Sequence, residues 1–556
     1  MKTNRQHYVL TNGYWLLAIG LLFTAFGSYA QDYQWQWAKH GGGSAKVTNE
    51  QEGILNNSFR AELIWDIATD EDNNYYFLGT IASGSTHVDG NLVPDYGIGS
   101  SGRNIIITSF TCGGVYRWSR VIGGGGGNNR AFNMILDNNG GIYVSVAVNN
   151  TGNTNEPQTC FSDDDCLPYV SGQQEQEGRK TGFLLKYDTD NGELLWRKNY
   201  QGDVSNANNN ICVFDLQIDS NNILHTIIGL KEGVHLDGTL TIPPQAEEWA
   251  DLRYYLVKFD AITGNVTGTP LQLPMEGFIY DTNLTFRYDE ALNRYYLAGW
   301  GDANCTMDSF NGVSFKQPDY GKYNFFLSFN ANDLDDWWYK QILAGADNVI
   351  ENTDITIDSN SDIYIIGKYF QSGSNSNPVT FGNHTFDSVS YSGNRPYILK
   401  MNSEGEVQWS KIPDGYIDPL ASTGTYEALG VSLNGNEVAL AANGRSTIWG
   451  SYSIDRPAGH GNDPTLVRFN KQTGEVTGLN DIYGSSGVHY LTAVTADQDG
   501  NYVVGGAMRY SLFTDSPNGV APLYNTSSSG VYTDFFMARL AATECGTAVV
   551  SVDEHY

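Results

Sequence analysis

Short apolar segments alternate with turn-forming residues along most of the chain. One apolar segment of five or six residues recurs seven times, and successive copies end 68 to 77 residues apart, at Phe110, Tyr187, Phe259, Phe329, Met401, Phe469 and Leu540. This length is typical of a buried strand and is too short for a stable helix. A regular period of this kind predicts a repeat architecture built from strands.

Two further elements recur in step with the apolar segment. A Trp-bearing segment follows it after a Gly or Asp turn, and this places Trp118, Trp196, Trp338 and Trp409, whereas the copies GNVTGTP and GEVTGLN lack the Trp. An Asp-rich turn leads into another strand, as in DSNSDIYIIG at 358–367. We predict the fourth strand in segments such as HVDGNLV at 87–93 and WGSYSI at 449–454. Four strands in each of seven units predict an all-β fold, a seven-bladed β-propeller.

The phase of the repeat predicts how this propeller closes. The chain opens with a Trp-bearing strand around Trp37 that follows no apolar segment, and the last apolar segment, at 535–540, is followed by no Trp strand. We therefore expect residues 33–40 to pair in antiparallel register with residues 535–541. The N-terminal strand would complete the C-terminal blade, and no blade would present a free edge.

The first 30 residues have the features of a signal peptide. Lys2 and Arg5 precede an apolar run at 15–26, and the small residues Ser28 and Ala30 stand where a signal peptidase would cut. The apolar run is shorter than the roughly 20 residues that span a bilayer. We therefore predict a secreted or cell-surface protein with no membrane span.

The same features give the domain boundaries. A signal peptide at 1–30 is followed by the β-propeller at 31–545 and by a C-terminal tail at 546–556. The full chain carries 32 basic and 62 acidic residues, for a net charge of −30. A field of this sign repels phosphate, so we expect no nucleic-acid partner. It attracts divalent cations such as Ca²⁺.

Several units resemble one known repeat family. The succession WSKIPDGY, DSNSDIYIIGKYF, VTFGNHTF and RPYILKMNSEGEVQW is similar to the secreted bacterial β-propeller (SBBP-type) repeat, with its W-x-K, D-x-x-G-N-x-Y-x-x-G and F-x-x-K-x-D pattern. The resemblance covers nearly the whole chain after residue 30. It implies an extracellular binding role and transfers no catalytic residues.

The repeat is longer than four short strands require. About 70 residues per unit exceed the 40 to 50 typical of a propeller blade, so we place the surplus in loops at 147–180, 238–252, 300–323, 370–395 and 511–533. Loops on a rigid scaffold commonly carry recognition. Three tryptophans lie outside the repeated Trp position, and they are candidates for stacking on a carbohydrate or for covering the blade ends: Trp249, Trp300 and Trp449.

Six cysteines follow the predicted signal peptide. An exported protein permits disulfides, and CFSDDDC closes a short loop, so we predict a bond between Cys160 and Cys166. Cys112 and Cys545 occupy similar positions in the first and last units, and a bond between them would lock the ring.

Calcium is a possible ligand at one Asp-rich turn. Asp70, Asp72 and Asn74 stand at alternate positions in DEDNN, a spacing that can wrap oxygen ligands around a hard cation. Asp in a hairpin turn also caps its own backbone without metal, and that alternative stays open.

Two classes of function remain. The first is a non-catalytic extracellular propeller that binds a glycan or a protein, or that contributes to a surface assembly. The alternative is an enzyme on the same scaffold, a polysaccharide lyase or hydrolase, or less readily a quinoprotein dehydrogenase. The sequence assigns no cofactor with certainty, and calcium is the candidate ion. His460 and His489, with Tyr490, are the residues that a lyase would use.

Overall fold

The computed structural model is built almost entirely from antiparallel strands. It describes residues 33–44, 62–82, 84–96, 103–124, 129–137, 139–149, 158–167, 180–200, 202, 212–213, 215–244, 252–278, 284–302, 306–315, 322–343, 350–371, 379–387, 393–416, 428–457, 460–485, 487, 489–515, 519–526 and 533–545. A single-turn 3-10 helix at Leu236–Gly238 is the one helical element among these residues. The all-β prediction is therefore confirmed.

Seven main sheets share one plan among the described residues, and we number them in chain order. In each sheet an inner strand is followed outward by a second, a third and an outer strand. Sheet 1 consists of Ile64–Thr69, Tyr75–Ala82, Arg103–Phe110 and Tyr116–Ile122. Sheet 2 consists of Arg130–Leu136, Gly141–Asn149, Lys180–Asp188 and Leu194–Asn199. Sheet 3 consists of Cys212–Val213 with Gln217–Ile218, then Ile223–Leu230, Arg253–Asp260 and Leu271–Gln272. Sheets 4 and 5 consist of Leu284–Asp289, Arg294–Asp302, Lys322–Asn330 and Asp333–Lys340; and of Ile350–Ile357, Ile363–Gln371, Gly393–Met401 and Val407–Lys411. Sheets 6 and 7 consist of Ala428–Asn434, Glu437–Gly444, Asp463–Asn470 and Val476–Asp481; and of Tyr490–Ala496, Tyr502–Met508, Asp534–Ala541 and Gln34–Gly42. Four-stranded antiparallel sheets repeated in this way are the blades of a β-propeller fold.

The outer strand of sheet 7 comes from the opposite end of the chain. Gln34–Gly41 pairs antiparallel with Phe535–Ala541, and Trp37 faces Arg539 in the ladder. The predicted pairing of the N-terminal strand with the last strand is therefore confirmed. The third strand at Asp534–Ala541 is buried throughout because it has a neighbour on both sides.

The fourth strand of each sheet was predicted in the wrong segment. The inner strand is the segment that precedes the Asp-rich turn, such as Ile64–Thr69. Segments such as HVDGNLV form a short hairpin instead, which we call the strap. At most junctions the strap pairs with the chain that leaves the outer strand of the preceding sheet, as where His87–Val88 meets Gly41 and Gly42. The straps account for much of the unexpectedly long repeat.

The straps and their partner strands have the following bounds. They are His87–Val88 and Asn91–Leu92; Gly233–His235 and Leu240–Ile242; Thr306–Phe310 and Val313–Ser314 beside Met275–Phe278; Thr380–Phe381 and His384–Thr385 beside Ile342–Leu343; Thr447–Trp449 and Tyr452–Ser453 beside Gly415–Tyr416; and Ser511–Leu512 and Leu523–Tyr524. In sheet 2 the disulfide-closed loop at 160–166 takes this place, through a bridge between Gly123 and Cys160.

Inner strands of successive sheets are in contact. Such contacts join sheets 1 and 2, sheets 3 to 7 in order, and sheet 7 to sheet 1. Sheets 2 and 3 are joined by the Leu216 N–H, which donates to Asn133 Oδ1 at 3.2 Å. We call such a contact, in which a side-chain oxygen accepts a hydrogen bond from the backbone of the next sheet, a latch. Two further latches occur where Asp66 accepts from Met134 N and where Asp354 accepts from Val431 N. A β-bulge just before each of these acceptors turns it toward the neighbouring sheet.

The repeated tryptophans connect the outer parts of neighbouring sheets. Trp118 Nε1 donates to Thr189 O of sheet 2 at 3.1 Å, and Trp409 Nε1 donates to Lys471 O of sheet 6 at 3.1 Å. At Gly192 the backbone has a φ of 69°, and an added Cβ would lie 2.6 Å from the Trp118 ring. Glycine in this turn therefore permits both the left-handed conformation and the close approach of the ring.

Repeated charges are paired within the blades. Lys186 contacts Asp137 at 3.4 Å, Lys400 contacts Asp362 at 2.7 Å, and Arg539 contacts Asp497 at 3.4 Å. Asp137 also accepts from Tyr143 six residues later, at 2.6 Å. The recurring Asp and Lys or Arg positions thus hold each hairpin turn against its own strands.

The predicted signal peptide at 1–30 and the tail at 546–556 lie outside the described residues. Among the residues that the structure does describe, no helix is long and apolar enough to cross a membrane. The domain boundaries stay predictions.

Candidate ligand-binding cleft

A cleft of about 560 Å³ lies at the junction of sheets 1 and 2. Its walls are the two outer strands, the chain after the first strap and the disulfide-closed loop of sheet 2. The lining side chains are Pro94, Tyr96, Arg120, Val121, Ser162, Asp163, Asp164, Asp165, Glu193, Leu194, Leu195, Trp196 and Arg197. This volume falls within the range of about 300–1,000 Å³ that is typical of sites for small ligands.

The disulfide-closed loop forms one rim of the cleft. Cys160 and Cys166 are bonded, as predicted, and Phe161 N donates to Asp165 O across the loop at 2.9 Å. Phe161 is fully buried and packs against Phe183 with the ring centroids 4.9 Å apart. With its apolar residue directed inward, the loop exposes the carboxylates of Asp163 and Asp164 at its tip.

Two arginines in the cleft are held by neighbouring groups. Arg197 Nε donates to Asp165 Oδ2 at 2.7 Å, and its guanidinium lies over the Phe161 ring at 5.2 Å. Arg120 donates to the carbonyl oxygens of Gly192 and Asn191, at 2.6 and 3.1 Å. These contacts fix the positive groups in place.

The remaining charge in the cleft is negative. Asp163, Asp164 and Glu193 are exposed, whereas Asp165 is paired with Arg197. Four carboxylates against two guanidinium groups make the lining acidic. A cationic or neutral ligand is therefore favoured over an anionic one.

Two aromatic residues line the cleft in different ways. The Tyr96 hydroxyl donates to Asp163 Oδ1 at 3.2 Å, and burial together with the Asp163 charge raises the pKa of Tyr96 well above its ordinary value. Tyr96 thus remains a neutral hydrogen-bond donor at physiological pH. Trp196 is half-buried, and its Nε1 donates to Ile262 O of sheet 3 at 3.0 Å. The Tyr96 ring lies next to fixed polar groups of the cleft, whereas the Trp196 ring packs against Gly264 and the core between sheets 2 and 3.

One of the three predicted carbohydrate platforms, Trp449, is buried. Trp449 is only 2 % exposed and packs edge-on against Phe469 at 5.6 Å, so its faces are not available for stacking on a sugar. The assignment of Trp449 as a surface platform is therefore corrected to a core role at the junction of sheets 5 and 6. Trp300 lies in the second strand of sheet 4, and Trp249 falls outside the described residues.

The turn at Asp70 uses its carboxylate for the backbone. Asp70 Oδ1 accepts from Asp72 N at 3.0 Å and from Asn74 N at 2.8 Å, and Oδ2 accepts from Asn74 Nδ2 and the Tyr76 hydroxyl. This is the arrangement that the metal-free alternative describes. Calcium at Asp70, Asp72 and Asn74 stays a prediction. Within the described ranges, no group of three or more His, Cys, Asp or Glu side chains is arranged to hold a metal ion.

The histidines named for a lyase are tied to backbone groups. His489 is fully buried, and its Nδ1 accepts from Arg509 N at 3.2 Å. Burial lowers the pKa of His489 to about 4, so the ring is neutral at physiological pH. The two ring nitrogens of His460 lie 3.0 Å from the carbonyl oxygens of Gly461 and Gly484.

A second charged cluster lies where the inner strands converge. Arg287 of sheet 4 donates to Asp215 Oδ2 at 2.7 Å and to Asp354 Oδ1 at 2.9 Å. Burial, together with the charge of Asp215, raises the pKa of Asp66 to about 7. Burial likewise raises the pKa of Asp354 to about 6, although Arg287 opposes the shift. Asp66 and Asp354 are the latches that accept hydrogen bonds from the backbone of sheets 2 and 6.

Sequence reasoning missed most of the cleft. The sequence has an acidic run at 163–165, but nothing in the repeat pattern separates Tyr96 or Arg197 from ordinary surface residues. Trp196 occupies the repeated Trp position, and its ring packs against the next sheet. The detectable signal was the CFSDDDC loop, which replaces a hairpin of different composition in the other units.

Comparisons with known proteins give distant similarities in structure alone. No family model matches the chain, and no curated protein matches it, so the SBBP-type resemblance stays a prediction. A protein of unknown function from Dyadobacter fermentans is similar with a TM-score of 0.36 at 12 % identity, covering 74 % of this chain and 94 % of its own. A PL25 ulvan lyase is similar with a TM-score of 0.40 at 9 % identity, and the match covers 85 % of this chain and 92 % of the lyase. The NanB sialidase of Streptococcus pneumoniae is similar with a TM-score of 0.36 at 10 % identity, and the match covers 91 % of this chain and 70 % of the sialidase. The fold assignment therefore rests on the sheets and contacts described above.

Proposed function

We propose that this protein is a non-catalytic, secreted β-propeller that binds a glycan in the cleft between sheets 1 and 2. Seven blades would form a closed ring, in which the N-terminal strand completes the last blade. This closure is supported by the ladder between Gln34–Gly41 and Phe535–Ala541 and by the contact between the inner strands of sheets 7 and 1.

The observation that carries the proposal is the composition of the cleft. Tyr96 offers ring surface, while Asp163, Asp164 and Glu193 offer hydrogen-bond acceptors for hydroxyl groups. Apolar walls with a few fixed polar groups are what a small, hydroxyl-rich ligand requires. The recessed shape favours a sugar unit over the flat surface of a folded protein, because stable protein interfaces bury about 800 Å² on each partner.

The charge of the cleft narrows the choice of glycan. Its arginines are paired with protein groups, and its exposed charges are carboxylates. We therefore expect a neutral or amino-bearing glycan and weak or no binding of sulfated or uronic-acid polymers, which the acidic lining would repel.

Export is supported by the covalent structure. Two disulfides, Cys112–Cys545 and Cys160–Cys166, lie among the described residues, and disulfides persist in oxidising compartments. The signal-peptide pattern at 1–30 points to the same compartment.

A glycan array probed with the mature protein tests the proposal. We expect binding to neutral or amino-bearing glycans, and a loss of about tenfold in affinity on Tyr96→Ala, since an aromatic contact contributes roughly 0.5–1.5 kcal/mol beyond its buried area and about 1.4 kcal/mol corresponds to a factor of ten. Tyr524→Ala is the matched control, because Tyr524 is 66 % exposed on a strap of sheet 7, away from the cleft.

Three outcomes would contradict the proposal. They are equal loss of binding in the Tyr96→Ala and Tyr524→Ala variants, capture of protein ligands with no glycan bound, and cleavage of any polysaccharide by the wild-type protein. The last result would favour the lyase or hydrolase alternative.

A further inference from the structure

One arginine of the cleft carries hydrogen-bond donors that the protein itself does not use. Arg197 Nε donates to Asp165 Oδ2 at 2.7 Å. Within the part of the chain that the structure describes, neither Nη atom of Arg197 has a hydrogen-bond partner. The side chain is 31 % exposed and lines the cleft. Arg197 therefore presents N–H donors to a ligand.

Buried neighbours fix the orientation of these donors. The Arg197 guanidinium lies 5.2 Å from the ring centroid of Phe161 and 5.7 Å from that of Phe183. Both rings are buried, and the Tyr187 hydroxyl donates to Phe161 O at 2.9 Å. A planar guanidinium that stacks on aromatic rings and is tied through Nε has little freedom to turn. The donors are thus in place before a ligand arrives, which reduces the entropic cost of binding.

The charge around Arg197 decides which acceptor suits it. Asp165 neutralises the guanidinium. Three other carboxylates in the lining have no basic partner among the described residues, and these are Asp163, Asp164 and Glu193. A carboxylate or sulfate group on a ligand would be repelled by this excess of negative charge. A neutral carbonyl oxygen accepts from the same donors without that repulsion.

Hydrogen-bond acceptors lie beside these donors in the disulfide-closed loop. Asp164 directly precedes Asp165, is exposed, and accepts no hydrogen bond from any residue that the structure describes. Carboxylates only accept, so Asp164 suits an N–H group of a ligand. An amide group combines such an N–H with a carbonyl oxygen. It therefore matches the pairing of a fixed guanidinium with a free carboxylate.

Apolar surface lies in the same cleft. Leu195 is 50 % exposed, Pro94 is half-buried, and both line the cleft with the Tyr96 ring. A methyl group gains free energy by leaving water for such a surface, whereas a hydroxyl or an ammonium group loses hydration there.

We propose that the cleft recognises an N-acetylated amino sugar through its acetamido group. This inference rests on the glycan-binding function proposed above. The Nη groups of Arg197 donate to the acetamido carbonyl oxygen, Asp164 accepts from the amide N–H, and the methyl group contacts Leu195. Arg197 is therefore the residue that distinguishes an acetylated sugar from its hydroxyl and amine counterparts.

Titration calorimetry of the full mature protein with three β-linked trisaccharides tests the proposal. The trimers of N-acetylglucosamine, glucosamine and glucose share one backbone and differ only in the group at C2. The N-acetylglucosamine trimer should bind about tenfold more tightly than either of the others, because each of them lacks the carbonyl acceptor for Arg197. Equal or tighter binding of the glucose or the glucosamine trimer would overturn the acetamido assignment.

Arg197→Lys separates recognition from support of the loop. Lysine keeps the positive charge beside Asp165 but lacks the planar set of donors. The variant should bind the N-acetylglucosamine trimer about tenfold more weakly and the glucose trimer as the wild type does. An equal loss for both trimers would mean that Arg197 only supports the loop, and would overturn its role in specificity.

Arg294→Lys is the matched control. Arg294 pairs with Asp336 at 2.8 Å on sheet 4, outside the cleft, so this variant should keep the preference of the wild type. A preference lost equally in Arg294→Lys would contradict the assignment to Arg197.

The outcomes also keep this inference apart from the proposed function. If other glycans bind but the N-acetylglucosamine trimer does not, glycan binding stands and the acetamido assignment is wrong. If no glycan binds at all, the proposed function fails as well.

Discussion

The junction of sheets 1 and 2 and the junction of sheets 5 and 6 use the same position of the repeat in different ways. In the first, a disulfide-closed loop buries Phe161 and exposes Asp163 and Asp164 beside a cleft. In the second, the strap hairpin directs Trp449 into the core against Phe469. The first junction has a cleft lined by these carboxylates, whereas at the second the strap contributes a buried aromatic side chain.

The two junctions are alike at their inner ends. Asp66 accepts from Met134 N of sheet 2 at 2.9 Å, and Asp354 accepts from Val431 N of sheet 6 at 3.3 Å. The inner latches therefore hold neighbouring sheets together at both places, and the straps are free to diverge. This division explains how the outer parts of two junctions can differ on a repeated scaffold.

The largest effect on stability is expected from truncating the buried Trp449 at the junction of sheets 5 and 6. Trp449→Ala should lower the free energy of unfolding by about 3–5 kcal/mol, because it opens a cavity among buried residues. Leu195→Ala, at a residue 50 % exposed in the cleft, should change it by less than about 0.5 kcal/mol. Chemical denaturation measures both values. Similar losses in the two variants would show that the junctions do not differ in packing.

A smaller effect is expected from opening the loop at the first junction. Replacing Cys160 and Cys166 together by Ser should cost about 2–3 kcal/mol, as the closed seven-residue loop gains freedom in the unfolded chain. Glycan affinity should fall as well, because the loop positions Asp163 and Asp164. An unchanged affinity, measured by calorimetry, would mean that the loop is not part of the site.

The smallest effect concerns the inner latches that both junctions share. The folded-state pKa of Asp66, about 7, lies above the ordinary value of about 3.9, so its ionisation reduces stability as pH rises from about 4 to 7. Asp66→Asn should therefore be more stable than the wild type by about 1–2 kcal/mol at pH 8 and nearly equal to it at pH 4.

Asp354→Asn should behave in the same way over a window that ends near pH 6. Unfolding measured across this pH range checks both variants. A stability difference that is independent of pH would contradict the raised pKa values.

The repeat in the sequence was sufficient to predict an all-β fold of repeated antiparallel sheets and the partner of the N-terminal strand. Spacing of the apolar strands and the unpartnered strand at Trp37 predicted the strand ladder with residues 535–541, because strand pairing follows from local pattern and count. The fourth strand was misplaced, since the strap HVDGNLV alternates apolar and polar residues as a blade strand does.

The site was less predictable than the fold. Trp449 lies outside the repeated Trp position in sequence, yet its strap folds back into the core. Tyr96 and Asp163 are 67 residues apart and meet only because two sheets are adjacent. Contacts of this kind depend on how the sheets pack, and a period in the sequence carries no information about them.

Hydrogen exchange of the protein with and without its best glycan tests the central claim most directly. The account predicts slower exchange on ligand binding in the loop Thr159–Leu167 and in the strand Leu194–Asn199, with no change in the strap at Thr447–Ser453. Protection confined to other sheets, or equal at both junctions, would contradict the assignment of the cleft as the binding site.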